Sequence, residues 1–368
     1  QPDIRTSSTM LAAYRGYDES VVAYSPSQGT EALRTAWAAY YNGLPISGGG
    51  GPITIDDVLV TVGGSEALLF VIAVVCDPGD AIIVAEPYYT NYMGFAHMLG
   101  VEIIPVTTHA EESFAVDAER VREVVSERTR AVVVPTPGNP TGAVLSAADL
   151  AALGEVCRQH DMFLISDEVY REFVYPDDDA ASEVAPSALD IAGLAEHVVV
   201  IDSVSKRYSA CGARVGCLVT RNQEIYASAL KFAQARLSPP TVDQHAALAA
   251  LSTPAAEMRA AVVQYRRRRD QIVEGLRAIP GVRCPRPDGA FYLIADLPVE
   301  DAEDFCIFLL ERFELDGETV MLAPAEGFYA SDGLGRNQVR VAYVLDVDRL
   351  ERSVRIIGAG LEAYRSGA

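Results

Sequence analysis

Lysine is scarce in this chain. Of its 30 basic residues only Lys206 and Lys231 are lysine, and the other 28 are arginine. Arginine stays protonated and cannot form an imine, so a position that keeps lysine against that bias points to a need for a primary amine. Lys206 stands in Asp202-Ser203-Val204-Ser205-Lys206-Arg207-Tyr208, immediately after the apolar run Val198–Asp202. A lysine so placed can condense with an aldehyde and later, as a free amine, carry a proton. Ser203 and Ser205 offer hydroxyl groups sized for a phosphate. Arg214, in Gly212-Ala213-Arg214-Val215-Gly216, can grip a phosphate with two parallel hydrogen bonds. The competing reading of Lys206 is an exposed surface lysine.

Three more segments place polar residues where an apolar run ends. Val62-Gly63-Gly64-Ser65-Glu66-Ala67 brings small residues to a strand-to-helix turn, where backbone N–H groups and a helix N-terminus can approach a phosphate. A tight turn with Ser65 as helix cap explains the same residues. Pro137-Gly138-Asn139-Pro140-Thr141-Gly142 is a rigid turn presenting the Asn139 amide, which both donates and accepts. Ser166-Asp167-Glu168-Val169-Tyr170 puts a carboxylate at a strand end, where Asp167 either caps a helix or keeps a pyridine nitrogen protonated. Tyr170 can reach the same ring.

These segments need elements to hold them. Strands are expected at Val58–Val62, Ala81–Ala85, Val101–Val106, Ala131–Pro135, Met162–Ser166, Val198–Asp202 and Arg214–Val219. Helical patterns alternate with them at Ser65–Val75, Tyr88–Leu99, Asp117–Glu127 and Ala147–His160. Strand–helix alternation with continuously apolar strands predicts an α/β fold with a mostly parallel sheet covered on both faces, and ligands of such sheets sit at the strand carboxyl ends. After Pro239-Pro240 the pattern changes. A long helix is expected over Glu257–Ala278, with Arg266–Arg269 on a solvated face. Strands near Phe291–Ala295 and Gln338–Tyr343, and helices near Ala302–Arg312 and Val347–Tyr364, predict a second, smaller α+β domain. Ser47–Gly51 is expected to be a flexible surface loop.

Composition narrows the function. A chain of 368 residues exceeds one ordinary core, so two domains are expected. A net charge of −21 argues against a nucleic-acid partner, which needs a basic face. The longest apolar runs are strand-sized, so no membrane span is expected, and the start carries no signal-peptide pattern. Cys76, Cys157, Cys211, Cys217, Cys284 and Cys306 show no Cys-x-x-Cys spacing and read as reduced, mostly buried thiols of a cytoplasmic protein. His97, His109, His160, His197 and His245 lie far apart in sequence, and no metal site is expected.

In combination these segments resemble those of the class I/II aminotransferases, fold-type I enzymes that use pyridoxal 5'-phosphate, and the resemblance runs over nearly the whole chain. It implies a large domain, 21–260, with a mostly parallel seven-stranded sheet between helices, and a small domain made of 1–20 and 261–368. It implies that Lys206 carries the cofactor as a Schiff base, that Asp167 partners the pyridine nitrogen, and that Asn139 and Tyr170 hold the ring's phenolic oxygen. Ser203, Ser205, Arg214 and the Gly64–Ser65 backbone would bind the phosphate. In Glu86-Pro87-Tyr88-Tyr89-Thr90-Asn91-Tyr92, Tyr89 rather than Tyr88 would stack on the ring. Tyr24, in Ala23-Tyr24-Ser25-Pro26-Ser27-Gln28-Gly29, matches a tyrosine that reaches the neighbouring subunit's phosphate, which implies a homodimer with composite sites. Arg340, in Gln338-Val339-Arg340-Val341-Ala342, would clamp the substrate α-carboxylate, with Asn139 beside it.

The implied reaction is ping-pong transamination between an L-amino acid and a 2-oxo acid. A β- or γ-lyase, a decarboxylase or a cyclase on the same fold is the alternative, because cofactor-binding motifs do not decide which bond at the α-carbon breaks. A regulatory module that binds the cofactor without turnover would be expected to carry a DNA-binding helix-turn-helix, and none is legible. Two points depart from the family pattern. Gln1-Pro2-Asp3 opens the sequence where the family usually has a preceding segment. Arg236 falls where some relatives place substrate-recognising residues; it is read either as a distal-carboxylate contact or as a surface or dimer contact.

Overall fold

In a computed structural model the described residues are 2–44, 51–175 and 184–367. Most of the expected loop at Ser47–Gly51 falls outside them. Two helices come first: α1 (Ser8–Arg15), capped by the Ser7 hydroxyl, and α2 (Glu31–Asn42), capped by Thr30. Strands and helices then alternate through β1 (Val58–Thr61), α3 (Gly63–Val75), β2 (Ala81–Glu86), α4 (Asn91–Leu99) and β3 (Glu102–Thr107). They continue through α5 (Ala118–Glu123), β4 (Thr129–Pro135), α6 (Ala147–Gln159), β5 (Phe163–Asp167) and β6 (Val198–Ser203). The short helix α7 (Val204–Arg207) leads into β7 (Gly216–Val219), α8 (Gln223–Arg236) and α9 (Thr241–Ala250). The last third holds α10 (Ala255–Arg277), β8 (Tyr292–Asp296), α11 (Ala302–Glu311), β9 (Ala323–Pro324), β10 (Gln338–Ala342) and α12 (Val347–Ser366).

The first seven strands form one sheet in the order β1-β7-β6-β5-β4-β2-β3. Only β7 runs against its neighbours, pairing antiparallel with both β1 and β6. The apolar strands bury both faces, and successive side chains go to opposite layers. Val198 and Val200 join one core cluster with Trp37 and Leu164, whereas Val199 and Ile201 join another with Phe70 and Ile165. Each such fully buried Val or Ile contributes roughly 1.5–3 kcal/mol. The second sheet, β8-β10-β9, is antiparallel and packs with α10, α11 and α12 around Phe291, Phe305 and Leu361. The expected fold class, a mostly parallel seven-stranded sheet between helices with a smaller α+β unit, is the fold observed.

Some boundaries differ from expectation. The helix expected from Tyr88 begins at Asn91, because Tyr88 is pinned in a turn by its N–H donating to the Phe328 carbonyl. The strand expected from Arg214 begins at Gly216, because Arg214 turns the chain with a φ of 53°. Helices α1, α2, α8 and α9 were not anticipated. The arginines of α10 do not all face solvent. Arg268 is buried against Asp3 and the Val344 carbonyl, and Arg269 against the Tyr175 and Pro287 carbonyls.

Candidate active site

The carboxyl ends of β4, β5 and β6 open on a cavity of about 350 Å³, closed from the other side by β8 and β10. From the large sheet come Asn139 after β4, Asp167 at the last position of β5, Tyr170 just beyond, and Ser203 at the end of β6. Gly64 and Ser65 enter from the first turn of α3, and Ser205 and Lys206 from α7. Arg214, Tyr89 and Arg340 complete the expected set.

Local folding explains each placement. Ser203 is extended and its hydroxyl accepts the Ser205 N–H, so it caps α7 and turns the chain by the time Lys206 is reached. Its own proton lies between the Ser205 hydroxyl, 2.8 Å away, and the Val215 carbonyl, 3.0 Å away. Beneath this turn Asp202 is buried and neutralised by Arg207 at 2.8 Å, with Trp37 and Tyr41 also donating to it. The start of α3 is pressed against β7. Gly63 has a φ of 73°, and an added Cβ would stand 2.3 Å from Arg214 Nη2; a Cβ on Gly216 would stand 2.7 Å from the Gly64 nitrogen. These glycines therefore let the α3 N-terminus, Arg214 and β7 come together.

Asp167 carries the clearest electrostatic signature. Burial pushes its carboxyl up to about 6, while the Tyr92 hydroxyl, the Val169 N–H and the Lys206 charge pull it back down. Tyr92 Oη donates to its Oδ2 at 3.0 Å. A positive neighbour would offset the desolvation and keep the carboxylate ionised. Lys206 Nζ lies 5.8 Å from the centre of the Tyr170 ring. Tyr170 Oη donates to Tyr292 Oη at 3.1 Å, and burial holds its hydroxyl well above the usual tyrosine range. Arg340 donates from Nη1 to Asn139 Oδ1 at 3.1 Å, and its guanidinium sits 4.9 Å from the rings of both Tyr292 and Phe328. Its Nε is buried without a partner.

Residues 6–357 match the family described as aminotransferase class I and II. The chain belongs to this family. It is 34% identical over 371 residues to the aspartate/prephenate aminotransferase of Thermus thermophilus, covering 97% of this chain and 89% of that one. It is also 34% identical over 337 residues to an arginine–pyruvate transaminase of Pseudomonas aeruginosa, covering 91% and 81%. Among solved structures, Thermus thermophilus aspartate aminotransferase with maleate superposes with a TM-score of 0.86 at 31% identity, over 98% of this chain and 90% of that one. The protein is a transferase acting on amino groups.

Twelve residues were singled out for this site, and eleven of them line the one cavity; Tyr24 does not. It is 80% exposed, beside Pro239 and Pro240. Arg236 does not line the cavity either. It is tied inward, to Glu66 at 3.4 Å and to the Ser27 and Val60 carbonyls at 3.3 Å each. Within its own chain the guanidinium thus holds α8 to α3 and β1. Tyr88 is buried away from the cavity, and Tyr89 lines it. The residue reading missed Tyr92 and Tyr292. Tyr92 lies three residues beyond Tyr89, in the first turn of α4, its N–H donating to the Tyr89 carbonyl. Tyr292 hides in the apolar run Phe291–Ala295, where nothing separates it from core.

Proposed function

We propose that the cavity holds pyridoxal 5'-phosphate and that the protein moves an amino group from an L-amino acid to a 2-oxo acid. One observation carries the reading: one of the chain's two lysines ends in the same cavity as Asp167, Asn139, Arg214 and Arg340. The donor set fits the group. The α3 N-terminus at Gly64 and Ser65, brought against Arg214 by a Gly63 turn where no Cβ fits, the Ser203 and Ser205 hydroxyls and Arg214 suit a phosphate. Lys206 suits an aldehyde, Asp167 a protonated ring nitrogen, Asn139 and Tyr170 a phenolic oxygen, and Tyr89 the ring face. When bound, the cofactor supplies an electron sink for the bonds at the substrate α-carbon.

The chain's own residues then divide the work. Arg340, already aimed by Asn139, takes the substrate α-carboxylate on a two-pronged guanidinium whose Nε has no other partner. Lys206 takes the proton from the substrate Cα and returns one during the second half of the reaction. Asp167 stays ionised against the positive ring nitrogen, and Tyr92 keeps its carboxylate oriented. Tyr170, whose hydroxyl donates to Tyr292 in the cofactor-free chain, would turn its one proton toward the phenolic oxygen. The relatives above are named for transamination, which favours that chemistry over a lyase, decarboxylase or cyclase.

The reading extends to a cytoplasmic homodimer in which exposed Tyr24 reaches the neighbouring subunit's phosphate site. No helix among the described residues is long and apolar enough to cross a membrane. The division into 21–260 and the two outer segments is supported by the separate cluster around α10, α11 and α12. Met10 of α1 packs in the large cluster instead, which argues for assigning 8–15 to the large unit.

The test is a half-reaction. Single L-amino acids are added to cofactor-loaded protein without an acceptor, and the released 2-oxo acid is counted. One equivalent per subunit, with a cofactor absorbance change that a 2-oxo acid reverses, is expected. Continuous product formation without an acceptor would overturn the reading.

A further inference from the structure

The chain has six cysteines. Cys76, Cys157, Cys217, Cys284 and Cys306 are buried, and burial raises each of their thiols. Cys211 is half-buried and stands apart from them in position. Its Sγ accepts a hydrogen bond from Lys206 Nζ at 3.8 Å and donates to the Ser205 carbonyl at 3.1 Å. Because the thiol proton is taken by that carbonyl, the sulfur presents its lone pairs, and so acts as an acceptor toward the amine. Two polar groups near Lys206 have hydrogen-bond partners of their own. Asp167 accepts from Tyr92 and the Val169 N–H, and Tyr170 donates to Tyr292.

We propose that Cys211 is a positioning residue that holds the Lys206 amine in place whenever that amine is free. The proposal rests on the reading of Lys206 as the cofactor-bearing, proton-carrying lysine. A lysine side chain has four rotatable bonds, and an amine that must return to one carbon atom loses rate when it wanders. The chain from Nζ to Sγ to the Ser205 carbonyl closes on the residue just before Lys206, so the thiol and the amine are fixed to the same turn of backbone. Cys211 also touches the other end of the site, since its backbone carbonyl accepts from Arg214 Nη1 at 2.8 Å. That second contact uses no side-chain atom. Changing the side chain at 211 therefore separates the two roles: the amine loses its partner while Arg214 keeps its own.

The experiment compares Cys211→Ala and Cys211→Ser with the natural protein. Loss of one weak hydrogen bond made by the free amine is expected to lower kcat by about three- to tenfold in Cys211→Ala, with KM changed less than about twofold. Serine, which can both accept from the amine and donate to the Ser205 carbonyl, is expected to restore kcat to within about twofold. A second readout needs no turnover. With only two lysines in the chain, an isotopic label on lysine Cε gives two NMR signals, assigned by Lys231→Arg. In the cofactor-free protein the Lys206 signal is expected to shift and narrow in Cys211→Ala and to return in Cys211→Ser. Unchanged kcat together with an unmoved Lys206 signal would overturn the proposal. So would a loss of cofactor affinity equal in both variants, which would mark Cys211 as a structural support of the Arg214 turn. Failure of the underlying reading shows differently: borohydride reduction of the natural loaded protein would fix the cofactor to a residue other than Lys206.

Discussion

At the scale of single residues, the site is a set of groups whose charges are held in check by specific neighbours. Asp167 is the most exposed to test. Burial raises its carboxyl from the ordinary 3.8 to about 6 in the cofactor-free chain. The native state therefore binds the proton more tightly than the unfolded chain. The contribution of this group to stability is fullest below about pH 4 and is lost as the pH rises through 6. Above pH 6 the ionised carboxylate costs about 3 kcal/mol relative to a neutral side chain. Cofactor-free Asp167→Asn is expected to gain up to that amount at pH 8 and little at pH 4, which denaturant titrations at the two pH values would measure. Equal differences at both would remove Asp167 as the titrating group. The same substitution is expected to cut turnover in the loaded enzyme, since Asn cannot hold a ring nitrogen protonated. At Lys206, replacement by Ala is expected to abolish borohydride-stable cofactor attachment and lower kcat on the order of 1,000-fold. Arg340→Ala is expected to reduce kcat/KM on the order of 10- to 100-fold, mostly through KM for the amino acid, as steady-state kinetics would read.

At the scale of elements, the site is made by strand ends that stop where they do for visible reasons. Ser203 ends β6 by capping α7, and the turn that follows exists because Arg214 adopts a φ of 53° and Gly216 admits the α3 N-terminus. Gly216→Ala would set a Cβ 2.5 Å from the Gly63 carbonyl carbon, with backbone on both sides and nothing flexible to yield. It is expected to cost roughly 1–3 kcal/mol, seen in denaturant melts, and to weaken cofactor binding as Arg214 and the Gly63–Gly64 turn move apart. A melt matching that of the natural protein would show that the turn can relax. Much of this level is legible in the linear order. Apolar runs ending in Asn139, Asp167 and Ser203 read as strands delivering polar groups, and that is how they fold. The starts of α4 and β7 were misplaced because long-range contacts set them. Tyr88 is drawn from helix into a turn by the Phe328 carbonyl, and Arg214 from strand by its neighbours at Cys211 and Val62.

At the scale of the whole molecule, two sheets far apart in sequence face one cavity. Glu86, fully buried, accepts from the Ala330 and Ser331 N–H groups at 2.8 and 3.1 Å and so ties the end of β2 to the segment before β10. That tie helps keep Arg340 opposite residues some 200 positions away, such as Asn139. Tyr24, Val21 and Val22 are exposed apolar side chains on one stretch of chain, which suits a subunit contact. Sedimentation is expected to show a dimer. Mixing inactive Lys206→Ala subunits with Tyr24→Ala subunits is expected to restore cofactor retention in half the sites of the mixed dimers, which a site built within one chain would not do.

The sequence by itself determined the chemistry and the strand order of delivery. A lysine kept among arginines, an Asn turn, an Asp at a strand end and a downstream Arg are local patterns, because each is fixed by a turn or cap within a few residues of itself. Only the tertiary structure decided what depends on distant partners. It made Tyr92 the companion of Asp167 and Tyr292 that of Tyr170, and it buried Arg268 and Arg269 although their helix reads as solvated. It also turned Arg236 inward to Glu66. Those contacts join side chains whose separation in sequence carries no periodicity, or whose orientation is set by packing rather than by their own residue type, so no window along the chain could have shown them.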